Sequence, residues 1–134
     1  MVANSALELT GENTLNLRVL IIESDRRTVD ELQERFERYG IEAEVALSAS
    51  VGLDILSERQ MDAAIVDAEL EEHEKWPLLT SLRQKAPTVP VVMINGWKKK
   101  GISKLARRAG AARFLASPVD AEKVITAISD VVVN

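Results

Sequence analysis

The sequence contains no cysteine, which removes disulfides and thiolate metal sites at once. It has one histidine, His73, in the acidic stretch AELEEHEKW. A single imidazole cannot make a multi-histidine metal site, and no Ser-His-Asp or Cys-His set can be assembled around it; His73 is read as solvated. Neither G-x-G-x-x-G nor G-x-x-x-x-G-K-[ST] occurs, so a nucleotide-binding enzyme is not supported. No apolar run approaches the length of a membrane span, and the opening MVANSALELTGENTLN lacks the basic-then-apolar order of a secretion signal. A cytoplasmic protein without membrane contact is the expectation. With 134 residues, 46% hydrophobic and 28% charged, the chain is long enough to bury one core. Residues 1–17 are polar and weakly patterned and are read as a flexible leader or a short extra helix; 18–134 are read as one domain.

A further absence is one of charge. Residues 75–119 hold 10 cations and no acid, whereas residues 1–74 hold 18 acids and 6 cations. A chain this lopsided is expected to fold with a basic side and an acidic side. The basic side is centred on WKKKGISKLARRAG, with Lys98, Lys99, Lys100, Lys104, Arg107 and Arg108. The acidic side is expected from the segment after Asp25 and from IEAEVAL. Nucleic acid is a poor partner for the cations, because the net charge is −4 and no aromatic residues are interleaved with them. An acidic protein surface is a better one.

Periodicity supplies the fold. LNLRVLII is an apolar run too short for a good helix and reads as a buried strand. DRRTVDELQERFERYG places Val29, Leu32 and Phe36 at helical spacing, with Asp25 or Ser24 as N-cap and Gly40 at the end. IEAEVAL alternates strictly, as a half-exposed strand does. SVGLDILSERQ is a short helix capped by Ser48 or Ser50, and MDAAIVD a buried strand ending on an acid. WPLLTSLRQKA predicts a helix with Pro77 in its first turn, where a missing N–H costs nothing. PVVMI is a third buried strand, and ISKLARRAG a helix stopped by Gly110. ARFLA is a strand followed by Pro118, and DAEKVITAISDVVV a closing helix capped by Asp120. Trp76, Trp97 and Phe114 are read as packing residues.

Five strands alternating with five helices specify a parallel sheet covered on both faces through right-handed crossovers. The alternating strand belongs at an edge, and LRVLII and AAIVD in the middle. The fold class is therefore α/β, a flavodoxin-like (βα)5 doubly wound sheet in the order 2-1-3-4-5. Its topological switch point lies between the first and third strands, where ligands bind outside the carboxyl ends. Glu23, Ser24, Asp25 and Asp67 fall there.

With these positions fixed, the sequence from Arg18 to Val133 resembles the receiver domain of bacterial two-component response regulators. In that family an acidic pair ends strand one, a phospho-accepting aspartate ends strand three, a Thr or Ser ends strand four and a Lys-Pro ends strand five. The resemblance puts Asp67 of MDAAIVDAEL on the phosphoacceptor, Glu23 on the first acid and Ser24 on the second. Asn95 of PVVMING takes the hydroxyl position. In GAARFLASPVD, Ser117 takes the lysine, Pro118 is kept and Phe114 takes the aromatic switch position. The face built from helix four, strand five and helix five commonly carries dimer or output contacts in receivers.

Each departure has a chemical meaning. Phosphoryl transfer onto a carboxylate needs charge neutralisation by Mg²⁺ on oxygen ligands. Ser24 is neutral and a poor ligand, which leaves Glu23 and Asp67 as a weak metal pair; Asp25 suits the helix cap better. Ser117 removes the cation that pairs with a phosphoryl oxygen. Asn95 lacks a small rotating hydroxyl. Ser24 deletes one negative charge and Ser117 one positive charge, so the pocket is expected to close by hydrogen bonds among Ser24, Asn95, Ser117 and Asp67 without Mg²⁺ or phosphate. The reading is a pseudo-receiver, not an enzyme and needing no cofactor, that signals by contact with a signalling protein, an output domain or a second copy. The alternative is a working phosphorelay receiver, phosphorylated on Asp67 by a histidine kinase with Mg²⁺.

Overall fold

The computed structural model describes residues 15–96, 101–118 and 120–132. The elements run β1 (Leu17–Ile22), α1 (Arg26–Arg38), β2 (Ile41–Ala46), α2 (Ala49–Glu58), β3 (Ala63–Asp67), α3 (Glu72–Lys85), β4 (Val91–Gly96), α4 (Ile102–Ala109), β5 (Arg113–Ala116) and α5 (Ala121–Val132). All strand pairs are parallel, in the order β2-β1-β3-β4-β5. This is the expected doubly wound sheet, with the alternating IEAEVAL at one edge.

Unbroken apolar strands are needed because both faces of the sheet are covered. Side chains alternate across a strand, so one run must serve two cores. Val19, Ile21, Ile65, Val92 and Ile94 join Leu32 and Phe36 of α1 and Val124, Ile125 and Ile128 of α5. Leu20, Ile22, Val66 and Met93 join Leu78, Leu79 and Leu82 of α3, with Leu53 and Leu56 of α2 and Ala106 of α4 against them. Burying a side chain such as Leu or Phe is worth about 1.5–3 kcal/mol, and both layers are filled with them. α2 lies so close to β1 that a Cβ on Gly52 would stand 2.6 Å from Ile22 Cδ1.

The caps agree with the sequence where it left a choice. Asp25 caps α1 and Ser48 caps α2, each accepting from a first-turn N–H, and Asp120 accepts from Glu122 N at the start of α5.

Two expectations are corrected. α3 begins at Glu72, not at Trp76, so Pro77 stands inside the helix and His73 in its first turn. The run Glu71–Glu74 can be a solvated loop, but acids also favour the positive end of a helix, and that use wins. Pro77 still removes one main-chain hydrogen bond, the one to His73 O, between two exposed residues. The acidic side is also less uniform than expected, because α1 interleaves its acids with Arg26, Arg27, Arg35 and Arg38.

Candidate functional site

The carboxyl ends of β1, β3, β4 and β5 open onto one groove of about 1070 Å³. Glu23, Ser24, Asp25, Asp67, Asn95 and Ser117, all expected from the sequence to share a pocket, line it together with Arg27, Thr28, Arg35, Pro118 and Asp120.

Glu23 directly follows β1, tied to the end of β2 by its own N–H on Ala46 O at 3.0 Å. Its side chain is 1% exposed. One carboxyl oxygen accepts from Asp25 N at 3.0 Å and the other from Asn95 Nδ2 at 3.0 Å. Burial pushes its pKa from 4.5 up to about 7, a rise that neighbouring Asp67 reinforces and the Asp25 N–H partly offsets. Glu23 is therefore far easier to protonate than an ordinary carboxyl.

Asp67 ends β3 and is buried, with Oδ1 accepting from Glu69 N at 2.9 Å. Asp25 turns away to α1, where its Oδ2 accepts from Thr28 Oγ1 at 2.7 Å and Thr28 N at 3.3 Å. Those bonds hold its carboxyl below the usual range.

Asn95 reaches Glu23 from a left-handed backbone, φ 62°, a region that asparagine enters more readily than most residues. The next residue, Gly96, carries the ring of Phe114. A Cβ at Gly96 would lie 1.9 Å from Phe114 Cζ, so only glycine admits the half-buried ring here. Ser117 N donates to Gly96 O at 2.9 Å, and the Ser117–Pro118 bond is cis.

The expected bonding among Ser24, Asn95, Ser117 and Asp67 does not form. Asn95 gives its amide to Glu23 instead, and among the described residues neither serine hydroxyl has a hydrogen-bond partner. The buried Glu23 carboxyl has the greater need of a donor, since an unpaired polar group in the interior is costly whereas a hydroxyl on an open groove can face water.

Two arrangements were not foreseen. Lys75 is buried, donating from Nζ to Ala68 O at 2.8 Å and standing 4.8 Å from the centroid of the Trp76 ring. It thereby anchors the loop that leaves Asp67, and a lone lysine in an acidic stretch carries no sequence signal of that. Arg35 of α1 pairs with Glu122 of α5, which also accepts from Tyr39 Oη at 3.0 Å; Glu122 lies 87 and 83 residues from them, too far for spacing to suggest it. On the expected partner face, Lys104, Arg107 and Arg108 are exposed on α4. Trp97, Lys98, Lys99 and Lys100 lie outside the described residues.

Residues 19–129 match the response regulator receiver domain family. The chain belongs to that family. A receiver domain works in two-component signalling, and relatives agree with the assignment. The photosynthetic apparatus regulatory protein RegA of Rhodovulum sulfidophilum is 29% identical over 110 residues, which are 82% of this chain and 60% of that protein. The transcriptional regulatory protein MalR of Bacillus subtilis is 32% identical over 117 residues, 85% of this chain and 49% of that protein. The chain thus spans about 60% of the length of the first of these relatives and about half of the second. A response regulator receiver domain from Clostridium thermocellum superposes with a TM-score of 0.78 at 24% identity, covering 87% of this chain and 94% of that one. That likeness carries the fold.

Receiver domains typically bind Mg²⁺ for phosphorylation, and the donors of this receiver are a poor match for it. Mg²⁺ asks for near-octahedral oxygen ligation with carboxylates that are ionised. Both oxygens of Glu23 already accept hydrogen bonds, Asp25 is committed to Thr28, and position 24 offers only a hydroxyl. Among the described residues no three acidic, histidine or cysteine side chains group closely enough to hold a metal.

Proposed function

We propose that this receiver domain has retired its phosphoryl chemistry and acts in two-component signalling as an interaction module. The observation that carries this is the internal closure of the pocket: Asn95 Nδ2 and Asp25 N satisfy the buried Glu23 carboxyl from within the chain. With Ser24 and Ser117 in place of a second acid and a cation, the groove has neither the ligands to neutralise a transferring phosphoryl group nor a partner for it afterwards. Asp67 is then an inherited position, Phe114 a fixed packing residue, and no cofactor or catalysis is involved. Signalling passes through the basic face of α4, Lys104, Arg107 and Arg108 with Lys98, Lys99 and Lys100 before it in the chain, to an acidic surface on a signalling protein, an output domain or a second copy. The module includes Leu17, the first residue of β1, one residue ahead of the boundary expected from the sequence, and it works in the cytoplasm.

The second reading is a working receiver phosphorylated on Asp67 by a histidine kinase. Membership of the family favours it, as does the place of Asp67 beside Glu23 in an open groove. An amide NMR titration with Mg²⁺ and then beryllium fluoride, with Asp67→Asn as control, separates the two. A silent spectrum at millimolar Mg²⁺ is expected. Shifts centred on Asp67 that spread to Asn95 and Phe114 and vanish in the control establish the second reading instead.

A further inference from the structure

Among the described residues, the large hydrophobic side chains left exposed are Leu47 at 64%, Val51 at 44% and Leu105 at 51%. Their neighbours differ in sign. Val51 lies on α2 one turn from Asp54, which is followed one turn later by Glu58, and both acids are exposed. Leu105 lies on α4 between Lys104 and Arg108, again one turn apart and exposed. Among the described residues none of these four charged side chains is held in an ion pair, so each is available to an outside partner.

We infer that α4 of one copy docks on α2 of a second copy, with Leu105 against Leu47 and Val51 and with Lys104 and Arg108 facing Glu58 and Asp54. Side chains one turn apart on a helix stand about 5–6 Å apart, so the two acids and the two bases have the same spacing. Both helices belong to the layer built around Leu78, Leu79 and Leu82 of α3, on either side of that helix. The contact uses different surfaces on the two copies and is therefore heterologous, giving a ring or an open chain rather than a two-fold dimer. One helix face on another buries little area, which places the contact in the weak, reversible class, and its ionic part weakens with salt. This occupant of the basic face rests on the interaction-module reading above, and the test below is independent of the Mg²⁺ and beryllium fluoride titration that decides that reading.

Sedimentation velocity over a concentration series tests it with three proteins: the wild type, Lys104→Glu/Arg108→Glu, and Asp54→Lys/Glu58→Lys. The wild type is expected to gain mass with concentration and lose it at high salt. Each reversed variant alone presents like charges on both patches and is expected to stay monomeric. An equimolar mixture of the two restores opposite charges at both contacts and is expected to associate again. A monomeric wild type, variants that associate as it does, or a mixture that stays monomeric each overturns the inference. Circular dichroism checks that the variants fold; should one fail, Leu105→Ser, expected to weaken association without touching a charge, carries the same test.

Discussion

A carboxyl group held near pH 7 makes stability depend on pH in a direction that can be worked out. Glu23 rises from 4.5 to about 7 on folding, so between those values the folded chain binds more protons than the unfolded one. Stability from this group is present in full below 4.5, falls as the pH rises to about 7, and is constant above. Other carboxylates act in the opposite sense at low pH, so the informative quantity is a difference. Glu23→Gln keeps the shape, cannot ionise, and lets Asn95 turn its amide to offer the oxygen. Its thermal midpoint relative to wild type is therefore expected to climb as the pH goes from about 4.5 to about 7 and then to level off. A difference that stays flat across that window would mean that Glu23 titrates as a solvated acid. Glu23, Ser24, Asp25 and Asp67 were legible in the sequence because strand ends can be counted, whereas Asn95 and Ser117 were placed by the resemblance to receiver domains. The contact that closes it was not: Asn95 meets Glu23 across 72 residues, and only from a left-handed backbone that no spacing rule announces.

Element boundaries were legible where one signal dominated and misread where two competed. The start of α1 follows from adjacent cap candidates at Ser24 and Asp25, of which Asp25 takes the cap, and from a clear apolar stripe. At α3, proline argues for a start at Trp76 while the acids of EEHEK argue for one at Glu72, and the helix takes the earlier start. Pro77 then costs a main-chain bond to His73 O and sets its ring against that turn, an effect of about 3 kcal/mol in a helix interior. Part of this is recovered because proline restricts the unfolded chain by about 0.4–1 kcal/mol. Pro77→Ala is expected to raise stability by about 2–2.5 kcal/mol, read as a higher urea midpoint with an unchanged slope. An unchanged midpoint would place the helix start at Trp76 in solution, as proline alone suggests. Lys75, one residue before Trp76, escaped notice for a related reason. Its burial depends on the loop after Asp67 folding back over the first turn of α3, a tertiary event with no local pattern.

For the molecule as a whole, scaffold and site are separable, and that is why one was readable and the other only in part. Of the buried apolar residues that build the two cores on either side of the sheet, among the described residues only Leu32 also lines the groove. Burial of strands on both faces leaves a periodic trace in the sequence, whereas the charge balance of the groove depends on residues from four strand ends at once. This separation allows the charges of the groove to be altered without dismantling the fold. Ser24→Asp adds a carboxylate to a groove already lined by Glu23, Asp25, Asp67, Glu69 and Asp120, and like charges at close range are unfavourable. That single variant is expected to lose stability. Ser117→Lys brings a cation to the same groove and is expected to be neutral or mildly stabilising. If the two serines are a matched loss of opposite charges, the effects are not additive, and the double variant recovers stability by a coupling of roughly 0.5–3 kcal/mol. Urea unfolding of the four proteins gives that coupling directly. Simple additivity would mean that positions 24 and 117 do not sense one another and that the two serines are unrelated changes. A clear coupling would make them two halves of one electrostatic arrangement, and it would make the double variant the natural protein in which to look for the beryllium fluoride response that the wild type is expected to lack.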